Sequence, residues 1–199
     1  MCGRYAFDDA KDIYEARRIL DEISSRLGSG AAEAVKTGEV FPGDCAAALL
    51  LHEGTPAADV LGWGYPLKGT KRLVINARAE TAHASLMFKK SAVSKRCLVA
   101  CTGFFEWKKE EGRSVKYEIG LKGERLFYLG GLYDEFVMEG ERKKRFVILT
   151  GAADGELARI HPRTPLIVTP AAAGEWLSGA SAFERFFAAP KEYSIRAAR

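Results

Sequence analysis

The chain has 199 residues, 47% of them hydrophobic, 28% charged and 11% aromatic, with a formal net charge of +4. This is the composition of a folded domain with a substantial core; it excludes a disordered or low-complexity chain, and it is too mildly basic to announce nucleic acid by itself. The first fifteen residues lack the apolar stretch of a signal peptide and no run is suited to crossing a bilayer, so the expectation is a cytoplasmic protein with no membrane partner and with reduced thiols at Cys2, Cys45, Cys97 and Cys101.

Residues 3–7 read as a short strand. Residues 9–27 read as a helix, with Ile13, Ala16, Leu20, Ile23 and Leu27 at helical spacing, Asp8 or Asp9 as the cap, and Gly28 and Gly30 as the stop. A turn at residues 40–44 leads into an apolar strand at 45–51. A second strand at 57–64 ends in Trp63-Gly64-Tyr65-Pro66. A third, at 73–75, runs into the polar cluster Asn76-Ala77-Arg78-Ala79-Glu80-Thr81, the kind of loop on a rigid scaffold where sites tend to lie. Residues 84–95 read as a helix carrying Leu86, Met87 and Phe88, with Lys89-Lys90 as a solvated face.

Residues 96–100 read as a strand, followed by Thr102-Gly103-Phe104-Phe105-Glu106-Trp107. Alternation puts Phe105 and Trp107 on one face and Glu106 on the other. Glu106 is then either a solvent-facing residue or a desolvated acid with a raised pKa. A hairpin is expected over 117–132, turning at Lys122-Gly123, and Glu139-Gly140-Glu141 turns into a core strand at 145–150. Residues 154–160 read as a helix with Asp154 at its start, ended by Pro162, with His161 at its C-terminus. A strand at 166–168, a helix opened by Pro170, a further turn or two at 182–188 and an extended piece at 193–195 complete the chain. Short strands punctuated by 20 glycines argue for an α+β fold on a curved antiparallel sheet.

The chemistry gathers at Met1-Cys2-Gly3-Arg4. Removal of Met1 leaves Cys2 with an α-amine and a thiol on adjacent carbons, of reference pKa ~8 and ~8.5. Such a pair reacts twice with an aldehyde: the amine forms an imine, and the thiol closes a thiazolidine ring with the advantage of an intramolecular step. Alternatively the amine acts as base for its own side chain, as in N-terminal nucleophile hydrolases. The bland alternative is a small buried Cys behind the start Met.

Taken in order, Met1-Cys2-Gly3-Arg4, the Pro42-Gly43 turn, Trp63-Gly64, the cluster 76–81, Gly103-Phe104-Phe105-Glu106-Trp107 and Ile160-His161-Pro162-Arg163-Thr164-Pro165 resemble the SRAP family (SOS response-associated peptidase domain) across nearly the whole chain. The resemblance implies a single domain over 1–199, a barrel-like curved sheet with peripheral helices, no cofactor and no metal. It implies a monomer that binds single-stranded DNA and captures the ring-opened aldehyde of an abasic site as a thiazolidine crosslink to Cys2. By the same resemblance, Asn76 holds the N-terminus and the opened sugar, Glu106 is the general acid/base and His161 protonates the sugar oxygen. Arg78 grips a phosphate, and Arg4, Pro42, Trp63, Thr81, Phe88 and Trp107 line the DNA path, Trp107 being equally readable as core. Glu39 stands near a position where the family usually has Asn, and Leu86 where relatives often have a basic residue.

Three other readings compete. Cys2 and His161 could form a peptidase dyad, which needs an oxyanion hole. Arg78, Lys89, Lys90 and aromatics could form a non-covalent single-strand binder with steep salt dependence. Cys97, Cys101, Cys45 and His83 lack the paired spacing of a zinc site.

Overall fold

The computed structural model describes residues 2–10 and 13–198. In chain order it contains β1 (Tyr5–Phe7), α1 (Tyr14–Leu27), α2 (Ser29–Glu33), β2 (Gly38–Val40), β3 (Cys45–His52), β4 (Thr55–Trp63), β5 (Tyr65–Pro66), β6 (Leu73–Val74) and β7 (Asn76–Arg78). Next come α3 (Ala79–Ala82), α4 (Lys89–Ser94), β8 (Arg96–Cys101), β9 (Gly103–Glu110), β10 (Arg113–Leu121), β11 (Phe127–Met138) and β12 (Glu141–Ala152). The chain closes with α5 (Gly155–Ala158), β13 (Arg163–Pro165), β14 (Ile167–Val168), a 3-10 turn at Pro170–Ala172, α6 (Ala173–Ser178), α7 (Phe183–Ala188) and β15 (Tyr193–Ala197).

Strands β12, β4, β3, β8 and β11 pair in sequence, and β11 returns to β12, so the five close into a barrel. Closure leaves these strands no open edge. The α+β, barrel-like expectation holds, with one refinement: β12 pairs in parallel with β4 and with β7, so the sheet is mixed. The apolar run at 146–149 is explained by this position. Phe146, Val147, Ile148 and Leu149 are all fully buried, as expected of a strand covered on both faces. A second sheet, in the order β15-β10-β9-β1-β2, lies beside the barrel and carries the N-terminal strand at an interior position.

Three local expectations are corrected. The hairpin over 117–132 does not form: β10 pairs with β9 and β15, whereas β11 belongs to the barrel. The actual hairpin turns at Glu111-Gly112, whose positive φ values of 48° and 80° match the primed turn that favours two-residue connections. The helix expected over 84–95 is only Lys89–Ser94; Leu86 is 87% exposed, so no apolar stripe holds the earlier residues in a helix. The first helix begins at Tyr14 without a side-chain cap, and Asp8 instead receives the N–H of Ala10 at 2.9 Å; residues 11 and 12 of the expected helix lie outside the described residues. Of its expected core face, Ile13, Ala16 and Ile23 are buried and Leu20 is half-buried, but Leu27 is 46% exposed and Ile19 is buried in addition. Among the described residues, no helix is long and apolar enough to cross a membrane.

Candidate active site

Cys2 leads into β1, which is held by β9 on one side and β2 on the other. The thiol is fully buried and donates to the carbonyl of Arg4 at 3.7 Å. Asn76, the first residue of β7, donates its amide N–H to the carbonyl of Cys2 at 2.9 Å, across 74 residues of sequence. The Asn76 Oδ1 is buried and makes no hydrogen bond with the described residues. The side-chain amide thus fixes the backbone of Cys2 with one end and keeps an acceptor available with the other.

Glu106 lies on β9 and is 4% exposed. Burial pushes its pKa up, and the positive charges of the amino terminus and His161 pull in the opposite direction. This is the desolvated-acid alternative, a carboxyl that keeps its proton to a higher pH than a free glutamate. The Cys2 thiol is pushed far up as well, chiefly by burial and secondarily by the charge of Glu106. His161 follows α5, its backbone N–H bonded to the Leu157 carbonyl at 3.0 Å. Its Nδ1 lies 3.0 Å from the Arg163 backbone N–H, which donates to it. Arg163 anchors that loop through a bidentate ion pair to Glu80 and a bond to the Thr150 carbonyl. Asn76 bonds to Cys2, and Glu106 acts electrostatically on Cys2 and feels His161, so the four residues gather from the segment before β1, from β7, from β9 and from the loop before β13.

The residues expected along a DNA path divide. Arg78 and Thr81, around the start of α3, are exposed, and so is Pro42, in a turn closed by Phe41 and Asp44. Trp107 is half-buried under the Arg4 guanidinium, 5.0 Å from its ring centroid. Phe105 and Trp107 do share a face of β9: the first carries Lys116 at 4.1 Å, the second carries Arg4, and both cations meet Glu39.

Trp63 and Phe88 are corrected. Trp63 is fully buried, stacks on Phe146 at 6.1 Å, meets Tyr5 in a tilted contact at 5.3 Å, and donates Nε1–H to the Ile75 carbonyl at 3.0 Å. It braces the strand of Cys2 against the segment entering Asn76 and offers no surface to a ligand. Phe88 is 9% exposed and packs on Tyr65 at 5.8 Å. Sequence reasoning did not single out Lys116 or the anchoring role of Arg163. Both are ordinary surface cations until long-range pairing brings β10 beside β9 and β13 beside β12, so no local pattern marks them.

Comparison with known proteins bears on the fold and the family. The chain is 33% identical over 178 residues to the Abasic site processing protein YedK of Escherichia coli (strain K12), covering 89% of this chain and 79% of that one. It is 29% identical over 189 residues to the Abasic site processing protein YoqW of Bacillus subtilis (strain 168), covering 89% and 80%. A crystal structure of a Bacteroides thetaiotaomicron protein superposes with a TM-score of 0.79 at 22% identity, covering all of this chain and 92% of that one. A phage-related protein from Bordetella bronchiseptica superposes with a TM-score of 0.70 at 25% identity, covering 100% and 94%. The family model described as SOS response associated peptidase matches residues 1–196, and the chain belongs to that family, SRAP.

Proposed function

We propose that this protein captures abasic sites in single-stranded DNA covalently, through Cys2 after loss of Met1. The relatives named as abasic site processing proteins support the substrate class. The observation that carries the chemistry is the pairing of a buried, pKa-raised carboxyl at Glu106 with a Cys2 whose carbonyl is held by Asn76.

The ring-opened sugar presents an aldehyde. The Cys2 amine adds to it, giving a carbinolamine. Protonated Glu106 delivers its proton to the hydroxyl, which leaves as water, and the iminium forms. The thiol sulfur then adds to the iminium carbon, its proton returns to the Glu106 carboxylate, and the nitrogen becomes neutral. Aldehyde, amine and thiol have become thiazolidine and one water, with Glu106 restored. A carboxyl whose pKa is raised by burial suits the first transfer better than a free glutamate would. His161 serves the earlier step, in which the closed sugar opens and its ring oxygen takes up a proton.

The raised thiol pKa favours this amine-first route over a cysteine peptidase, which depends on a thiolate of depressed pKa. The test is a denaturing gel of protein, mass-checked for loss of Met1, with an oligonucleotide carrying one abasic site, beside a Cys2→Ser control. A slow band that needs both Cys2 and the lesion is expected. A band of equal strength with Cys2→Ser would refute the thiazolidine.

A further inference from the structure

Glu39 is a carboxylate seated between two cations. Its Oε2 accepts from the Arg4 guanidinium at 3.1 Å, and its Oε1 accepts from the Lys116 ammonium. The three residues come from different places: the tetrad of Cys2, strand β2 and strand β10. Both cations also lie over aromatic faces. Arg4 sits 4.4 Å from the centroid of Phe41 and 5.0 Å from that of Trp107, and Lys116 sits 4.1 Å from that of Phe105. The rings and ion pairs fix the two positive groups so that they point at one oxyanion. The charges hold the Glu39 carboxyl below its usual range, chiefly through the bond from Lys116.

The seat is open to solvent. The Glu39 side chain is 37% exposed, that of Arg4 31% and that of Lys116 17%, so Lys116 lies deepest, behind the carboxylate that a phosphate would replace. Arg4 lies two residues from Cys2 in the chain. A phosphodiester presents two charged oxygens, as a carboxylate does, and an arginine–lysine pair is a natural receptor for it. The charge count of the seat, two cations against one carboxylate, leaves a net attraction for an anion.

We propose that Arg4 and Lys116 form a phosphate seat for the DNA backbone beside the captured nucleotide, and that Glu39 is a built-in competitor that the phosphate displaces. This rests on the reading of the protein as a single-strand DNA binder and adds to it a binding residue, Lys116, and an element that lowers affinity, Glu39. Displacement of Glu39 offsets part of the gain from each phosphate contact, so non-specific strands are held loosely. A strand tethered at Cys2 is held by its covalent bond and is not affected in the same way.

The experiment is equilibrium binding, by fluorescence anisotropy, of a single-stranded oligonucleotide carrying a tetrahydrofuran abasic analogue, which has no aldehyde to crosslink. Folding of each variant is checked by thermal melting. Glu39→Gln is expected to bind more tightly, by up to about fivefold, the range set by an exposed ion pair. Lys116→Gln is expected to bind more weakly and to reduce the magnitude of the log–log salt slope by about 0.7, the loss of one single-strand phosphate contact. In Lys116→Gln, Glu39→Gln should tighten binding less than it does alone. A neutral methylphosphonate, placed in turn at each linkage flanking the analogue, should weaken the wild type at one position and weaken Lys116→Gln less there, because only Arg4 then remains to meet that phosphate. Equal affinities for all three proteins, or tighter binding by Lys116→Gln, would overturn the seat even where the abasic crosslink still forms on a gel. The expected ranking of affinities without any crosslink would uphold the seat and refute covalent capture.

Discussion

The side-chain amide of Asn76 and the carbonyl of Cys2 meet at 2.9 Å, joining the second residue of the chain to a strand that begins 74 residues later. That single bond gives the N-terminus a fixed address. A free chain end would sample many conformations, and fixing it in place is a positioning effect of the kind that raises effective molarity.

Asn76→Ala should therefore slow adduct formation while changing DNA affinity little. A neutral hydrogen bond contributes about 1 kcal/mol, so at least a fivefold fall in the single-turnover rate is expected, with more if the end becomes mobile. Quenched time courses on abasic oligonucleotide check it. An unchanged rate would mean that the flanking strands alone position Cys2.

Glu106→Gln should slow the reaction and stabilise the fold. The loss of general acid–base function is worth about 100-fold or more in rate. The stability effect follows from the direction of the pKa. A carboxyl raised above 4.5 in the folded state binds more protons folded than unfolded, so its favourable contribution is complete at low pH and is lost as pH rises through the folded value. The variant and wild type should melt together near pH 4 and diverge toward neutrality, the variant being more stable there. A difference of about 1 kcal/mol would appear as roughly 2–4 °C in a chain of this size. Melting curves at several pH values decide this, and a gap that closes toward neutral pH would contradict the burial argument.

Arg163→Ala should impair the step served by His161. Its side chain ties the loop to Glu80 and Thr150, while its backbone N–H holds the ring of His161. The expectation is about a tenfold slower reaction, partly rescued by Arg163→Lys, which restores one contact but not the bidentate pair. Crosslinking rates of the two variants, compared across pH, test this; equal rates for Ala and Lys would remove the anchoring role.

Gly64→Ala should destabilise the protein. Gly64 has φ of +102°, and an added Cβ would lie 2.8 Å from the Cβ of Leu73. The Arg145 side chain donates to the carbonyls of both Trp63 and Gly64, so this turn is not free to relax. Left-handed strain of about 1–2 kcal/mol adds to overpacking of about 1–3 kcal/mol. Urea unfolding midpoints measure the sum, and a loss below about 1 kcal/mol would show that the turn adapts.

Much of this was legible in the residues, and the failures share a cause. The run at 145–150 announced itself because it is buried on both faces, and the apolar run at 45–51 was legible too, although Leu49 is only half-buried and Leu51 is exposed. The alternation through Phe105, Glu106 and Trp107 placed the carboxyl correctly against the two rings. What failed was partnership. Lys122-Gly123 has the composition of a hairpin turn, but β10 takes its neighbours from β9 and from β15, the latter more than 70 residues away. Trp63 is placed on the DNA path by resemblance alone, and only the packing of Phe146 and Tyr5 reveals it as a brace. The Glu39–Lys116 pair, separated by 77 residues, has no local signature at all.

The interior position of β1 in its sheet has a mechanical side. Anything fastened to Cys2 hangs from a strand gripped along both edges, by β2 and by β9, with Asn76 as a further tie near the point of attachment. A pull on that end must tear two ladders at once instead of peeling a strand from a border. Resistance to forced extraction is governed by the rate of unfolding, not by equilibrium stability. A protein whose adduct stands in the path of moving machinery on DNA would, by this anchorage, have to be unfolded more widely before its attachment point came loose.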